Sequence, residues 1–132
     1  MAQFMSVTVR VMEPRDVEEV GDVMVSAFND VFSRHGYAEP FPSVNVGISL
    51  ARSYLDREPE GCFTAWLRGT IVGSGFVHIR GDTGGIGPVT VDPRRQSDGV
   101  GRALMTKLIS AGSGCSSLRL VQDAFNVVSF PL

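Results

Sequence analysis

Apolar and polar residues first alternate along this chain and then change period. Val7, Val9 and Val11 flank Thr8 and Arg10, which predicts a half-buried strand. Glu13-Pro14 ends it, and Pro14 suits the first turn of a helix. From Arg15 the apolar positions Val17, Val20, Val23, Met24, Ala27, Phe28, Val31 and Phe32 fall at three- and four-residue steps. That spacing predicts a helix over 15–33 with one apolar face, and Asp16, Glu18, Glu19 and Asp22 sit near its start, where the helix dipole favours negative charge. Residues 33–43 carry Gly36, Pro40 and Pro42 among His35, Tyr37 and Phe41, which predicts a loop rich in aromatic side chains. Val44, Ile48, Ala51, Tyr54 and Leu55 predict a second helix over 44–57, although Gly47 weakens it.

The second half reads mostly as strands. Glu58 to Gly61 is a turn cluster. Residues 62–67 and 71–79 predict two strands joined by Arg68-Gly69-Thr70 as a hairpin. Gly73 and Gly75 within the second of them imply a bulge or a close backbone approach. A turn over 81–85, a strand over 86–91 and a helix over 99–111 follow; Gly112 or Gly114 stops the helix. Leu118, Leu120 and Val121 mark a last strand. The order β-α-α-β-β-β-α-β, without repeats or linkers, fits one α/β domain over 1–132, a single mixed sheet with helices on both faces.

Composition narrows the function. The 132 residues carry a net charge of −2, and Lys107 is the single lysine among 12 basic residues, so the charge excess expected of a nucleic-acid binder is missing. Cys62 and Cys115 are too few for a disulfide framework or a four-ligand zinc site. No apolar run approaches the roughly 20 residues that cross a bilayer, and residues 1–11 lack a secretory pattern. A cytoplasmic protein with neither nucleic acid, membrane nor metal is expected.

The chemistry concentrates between Val89 and Leu104. A strand ends at Asp92-Pro93, a polar loop with Arg94 and Arg95 follows, and a helix opens through Gly99 and Gly101 beside Arg102. Free amides at a helix start form an anion site, and glycines let phosphate oxygens approach. The same glycines also occur where nothing binds, and the arginines would equally suit a solvated rim. The spacing fits neither a P-loop, since no Gly-Lys-Ser/Thr run exists, nor a dinucleotide fingerprint, since Leu104 stands where its third glycine would be.

Gln96-x-x-Gly99-x-Gly101 resembles the Gln/Arg-x-x-Gly-x-Gly/Ala signature of the GNAT superfamily of N-acetyltransferases. The resemblance extends upstream through Val89 to Pro93, downstream through Leu104 and Leu108, and by element order over almost the whole chain. It implies a GNAT-like, mostly antiparallel sheet flanked by helices, and acetyl-CoA as cosubstrate. By the resemblance, the amides of Ser97, Asp98, Gly99, Val100, Gly101 and Arg102 would hold the diphosphate of acetyl-CoA, with Gln96 opening the loop. Val91 would pair with the pantetheine arm, and the Val89 N–H would face the thioester carbonyl. Asn126 would contact the cofactor.

The acceptor would be a small-molecule or peptide amine that attacks directly once deprotonated. His78, Asp123 or water could take the proton. His78 and Asp123 equally suit structural roles, on a strand face and as a cap. Asp30, His35, Tyr37 and Glu39 could draw a cationic amine or simply form a solvated loop. The family's general-acid Tyr and last two strands would fall just past Leu132, so a C-terminally incomplete fold is expected. An open edge on the last strand would then favour a homo-oligomer, a dimer or larger. A non-catalytic CoA-binding module, or an interaction domain that uses that edge, are the alternatives.

Overall fold

In the computed structural model, residues 6–120 are described. A five-stranded sheet runs in the order β1 (Thr8–Val11), β2 (Cys62–Leu67), β3 (Thr70–Arg80), β4 (Thr83–Val91), β5 (Ser117–Leu120). The first four strands pair antiparallel, and β4 pairs with β5 in parallel. Helices α1 (Val17–Arg34) and α2 (Val44–Arg57) cover one face, burying Val17, Val20, Met24, Ala51 and Leu55 against Cys62, Ile71 and Phe76. Helix α3 (Val100–Ala111) covers the other, with Val100, Leu104 and Leu108 fully buried against Ala65, Val72, Phe63 and Val77. The mixed sheet with helices on both faces is therefore as the periodicity predicts.

The glycines that interrupt these patterns are sites of close approach. A methyl group at Gly47 would lie 2.5 Å from the Gly21 carbonyl oxygen and 2.6 Å from Val25 Cγ2. The two helices thus cross at a glycine pair, which explains a glycine inside an otherwise regular α2. Gly47→Ala should overpack this crossing at a cost of about 1–3 kcal/mol, lowering the melting temperature by about 4–12 °C; an unchanged melt would contradict the crossing. On the opposite face, a methyl at Gly75 would lie 2.7 Å from Leu108 Cδ1, and one at Gly73 would lie 3.0 Å from Leu104 Cδ1. These two glycines let α3 seat directly on the sheet. The bulge is present as well: Ala65 pairs with Gly73 and Trp66 with Ile71, leaving Val72 as an extra residue on β3.

One boundary differs from expectation. β4 begins at Thr83, because Gly81 takes φ +59° and closes a two-residue turn. Thr83, Gly84 and Gly85 then join the ladder opposite Arg80, Ile79 and His78. A methyl at Gly84 would lie 2.6 Å from Leu118 Cδ2, so the glycines read as turn signals are strand residues lying against β5.

Candidate active site

β4 is paired on both edges only along part of its length. β5 accompanies it over Thr83–Ile86, and beyond Ile86 the outer edge of β4 has no strand partner among the described residues. The inner edge continues against β3, with Gly75↔Val89, Ser74↔Thr90 and Gly73↔Val91 in register. The Asp92 N–H donates to the Val72 carbonyl at 2.8 Å, so the main-chain groups of Thr90 and Asp92 point towards β3. Alternation then turns those of Val89 and Val91 towards the open edge. Their side chains pack on the α3 side of the sheet.

The open edge leads directly to the start of α3. Asp92 caps a short 3-10 turn (Pro93–Arg95), its carboxylate accepting from the Arg94 amide at 3.0 Å. Gly99 caps α3 with φ +83°, a left-handed conformation that favours glycine. Among the described residues, the amides of Gln96, Ser97, Gly99, Val100, Gly101 and Arg102 donate to no main-chain carbonyl, and the first internal bond of the helix start is Ala103 N–H to Gly99 at 3.1 Å. Asp98 departs from the expected set, because its amide already donates to the Arg95 carbonyl at 3.1 Å. Its carboxylate lies 3.7 Å from Arg95 Nη1.

Gly101 differs from Gly99 in an informative way. A methyl there would meet only Val91 Cγ2, at 3.7 Å, which is ordinary contact, and its φ is unexceptional. Folding alone does not require glycine at this position. The same contact shows that the β4 edge and the helix start adjoin. Of the arginines, Arg94 is bound to Asp92 (Nη2–Oδ2 2.9 Å, Nε–Oδ1 3.2 Å), and this hydrogen bonding outweighs burial to hold the Asp92 carboxyl below its usual range. Arg102 has no ion pair among the described residues and is exposed.

The candidate bases are placed unequally. Asp123 and Asn126 lie outside the described residues. His78 lies on the α1–α2 face, its Nε2 3.0 Å from the Gly87 carbonyl oxygen, with the Tyr54 ring 4.9 Å away. A carbonyl only accepts, so Nε2 carries the hydrogen. Strand β4 holds no acid. The Cys62 thiol is pushed up to about 12, chiefly by burial and further by Glu58 and Glu60, so it offers no nucleophile at neutral pH.

The α1–α2 loop is organised by Asn29, whose amide nitrogen donates to the Phe41 carbonyl at 3.0 Å and whose amide oxygen accepts from the Phe41 N–H at 3.1 Å. Phe41 meets Phe28 edge-on at 5.4 Å. Of the acidic side chains expected to draw an amine, Asp30 is bonded to Arg34 at 2.9 Å and Glu39 to the Ser33 hydroxyl at 2.9 Å.

Sequence reasoning missed two features. Thr64, Ser74 and Thr90 form a buried polar row across three strands, with the Ser74 and Thr90 hydroxyls 2.9 Å apart. Glu58, read as part of a turn, reaches back to Ile79 and Arg80. Neither has a local signal, because the partners lie 16 to 22 residues away in sequence.

A model of the acetyltransferase (GNAT) family matches residues 22–131. No curated protein matches the sequence. Among solved structures, a Pyrococcus horikoshii chain provisionally named an acetyltransferase superposes with a TM-score of 0.76 at 23% identity, over 94% of this chain and 41% of its own length. This chain thus spans less than half of that protein. A GNAT family acetyltransferase from Brucella melitensis, in complex with acetyl-CoA, superposes with a TM-score of 0.64 at 23% identity, over 89% of this chain and 77% of its own. The diaminobutyrate acetyltransferase of Paenibacillus lautus, in complex with diaminobutyric acid and coenzyme A, gives a TM-score of 0.67 at 21% identity, over 95% and 70%. At these identities the likeness establishes the fold. Among the described residues there is no group of three or more metal-ligating side chains, and no helix long and apolar enough to cross a membrane.

Proposed function

This chain belongs to the acetyltransferase (GNAT) family, and from that premise we propose that it moves an acetyl group from acetyl-CoA to a primary amine by direct attack. The observation that carries the proposal is the row of unengaged amides at the start of α3, continuous with the unpaired edge of β4. The residues present fit the cosubstrate. Ser97, Gly99, Val100, Gly101 and Arg102 supply amides for a diphosphate, and Gly101 leaves open the space that its phosphate oxygens would need. Gln96 opens that loop, and Arg102 adds an uncommitted positive charge. Val91 offers main-chain groups on the open edge for the amides of a pantetheine arm.

The Val89 N–H, on the same edge, is the donor for the oxyanion that forms when the amine nitrogen attacks the thioester carbon. The carbon–sulfur bond then breaks, the sulfur leaves as a thiolate that takes up a proton, and the amine gives one up. Water can take that amine proton; His78 is less suited to do so, since its Nε2–H is engaged with Gly87 and its Nδ1 faces Glu58. Asp123 remains an alternative base from its place after β5 in the sequence, and Asn126 a cofactor contact by resemblance. The Paenibacillus neighbour is named with a small diamine acid, which favours a small primary amine as acceptor.

Acetyl-CoA at 100 times its Kd should stabilise the folded protein by about 2.7 kcal/mol, a rise on the order of 10 °C in the melting temperature. An amine panel should release free thiol from acetyl-CoA. No thermal shift would overturn the proposal. A shift with no thiol release from any amine would reduce it to a non-catalytic CoA-binding module.

A further inference from the structure

Where β4 leaves β5, it also slips against β3. Gly75 pairs with Val89 but Val77 pairs with Ile86, so β4 carries one extra residue in this interval. Gly87 takes φ +127° there, and nothing lies within 4 Å of the position its Cβ would occupy. No side chain packs where a Gly87 Cβ would sit. The side-chain bond that reaches it, among the described residues, comes from His78, whose Nε2–H donates to the Gly87 carbonyl at 3.0 Å.

His78 is itself held. Its ring lies parallel to Phe76, 7° between planes at 6.4 Å, and 4.9 Å from Tyr54. Its second nitrogen, Nδ1, faces Glu58 Oε1 at 4.0 Å. Glu58 is fixed in turn: its side chain is 12% exposed, Oε2 accepts from the Ile79 N–H at 2.9 Å and Oε1 accepts from Arg80 Nη1 at 2.9 Å. The carboxylate thus ties the end of α2 to β3 and stands beside the imidazole that grips β4.

We propose that Glu58 and His78 are positioning residues for acyl transfer: Glu58 fixes the stretch of β3 that carries His78 by accepting from the Ile79 N–H and Arg80, His78 pins the Gly87 carbonyl, and the pin sets where the Val89 amide projects from β4. The inference rests on the reading that Val89 N–H serves the acetyl carbonyl. Its physical basis is the sensitivity of catalysis to placement, since a displacement of about 1 Å can cost on the order of a hundredfold in rate.

The test compares His78→Leu, His78→Gln and Glu58→Gln with the unaltered protein. Glutamine at 78 keeps an N–H donor able to reach Gly87; leucine does not. We expect His78→Leu to lower kcat by about 10- to 100-fold with the acetyl-CoA Kd within about twofold, His78→Gln to recover most of that loss, and Glu58→Gln to fall between. In parallel, 15N spectra of the proteins without ligand should show the Val89 amide resonance displaced in His78→Leu and restored in His78→Gln. Equal kcat in the leucine and glutamine variants, or an unmoved Val89 resonance, would overturn the proposal. Should the unaltered protein neither bind acetyl-CoA nor release thiol, the acyltransfer reading fails, while the Val89 resonance still decides whether His78 positions β4. If His78→Leu does not fold, the comparison of Glu58→Gln with the unaltered protein by the same two readouts carries the decision.

Discussion

Gly101→Glu should abolish the thermal shift produced by acetyl-CoA while leaving the ligand-free protein as stable as before. The substitution puts a side chain and a negative charge among the amides assigned to the diphosphate. The fold accepts it, because the new Cβ would meet only Val91 Cγ2 at 3.7 Å. Replacing glycine within a helix even contributes about 0.5–1 kcal/mol in helix propensity. Gly99→Ala is the contrasting case. There the backbone is at φ +83°, so a side chain is strained by about 1–2 kcal/mol and the ligand-free melting temperature should fall. If no diphosphate sat against Gly101, the ligand-free stabilities would be the same as predicted here, but acetyl-CoA would shift the melt of Gly101→Glu as it does the original.

Val89→Pro should lower kcat by about a hundred- to a thousandfold, the usual consequence of losing one oxyanion donor, with acetyl-CoA still bound. Proline removes the N–H, and its ring also takes the place of the valine side chain that packs towards α3. In an interior strand that would also break the ladder, but the Asp92 N–H bond to Val72 at 2.8 Å places the Val89 N–H on the outer edge. Beyond Ile86 that edge has no strand partner among the described residues. The KM for the amine should change little. A kcat within a few-fold of the original would show that the oxyanion is stabilised elsewhere.

Much of this fold is written in local patterns. The second helix spans Val44–Arg57 and the strand Cys62–Leu67 runs as their apolar spacing and flanking turns predict. The start of α3 is equally legible, since two glycines after a polar loop mark where the helix begins. What local patterns hide are contacts between distant residues. Gly47 reads as a weak helix position until Gly21 is brought against it. The glycines at 84 and 85 read as a turn because glycine carries the same local signal in a loop and in a strand; nothing nearby shows that Leu118 of β5 will leave no room for a side chain at 84. Glu58 reads as a surface turn residue, since nothing near it announces that Ile79, Arg80 and His78 will surround it. The Asp98 amide is engaged within the loop, since a 3-10 turn after Pro93 brings the Arg95 carbonyl within reach, and sequence spacing does not reveal it.

The amide resonances of 15N-labelled protein, followed during titration with coenzyme A, test the phosphate grip most directly. Ser97, Gly99, Val100, Gly101 and Arg102 should show the largest displacements and saturate together, with Val89 and Val91 following and Asp98 moving less. Saturable binding that leaves these five amides in place, or no binding at all, would contradict the account.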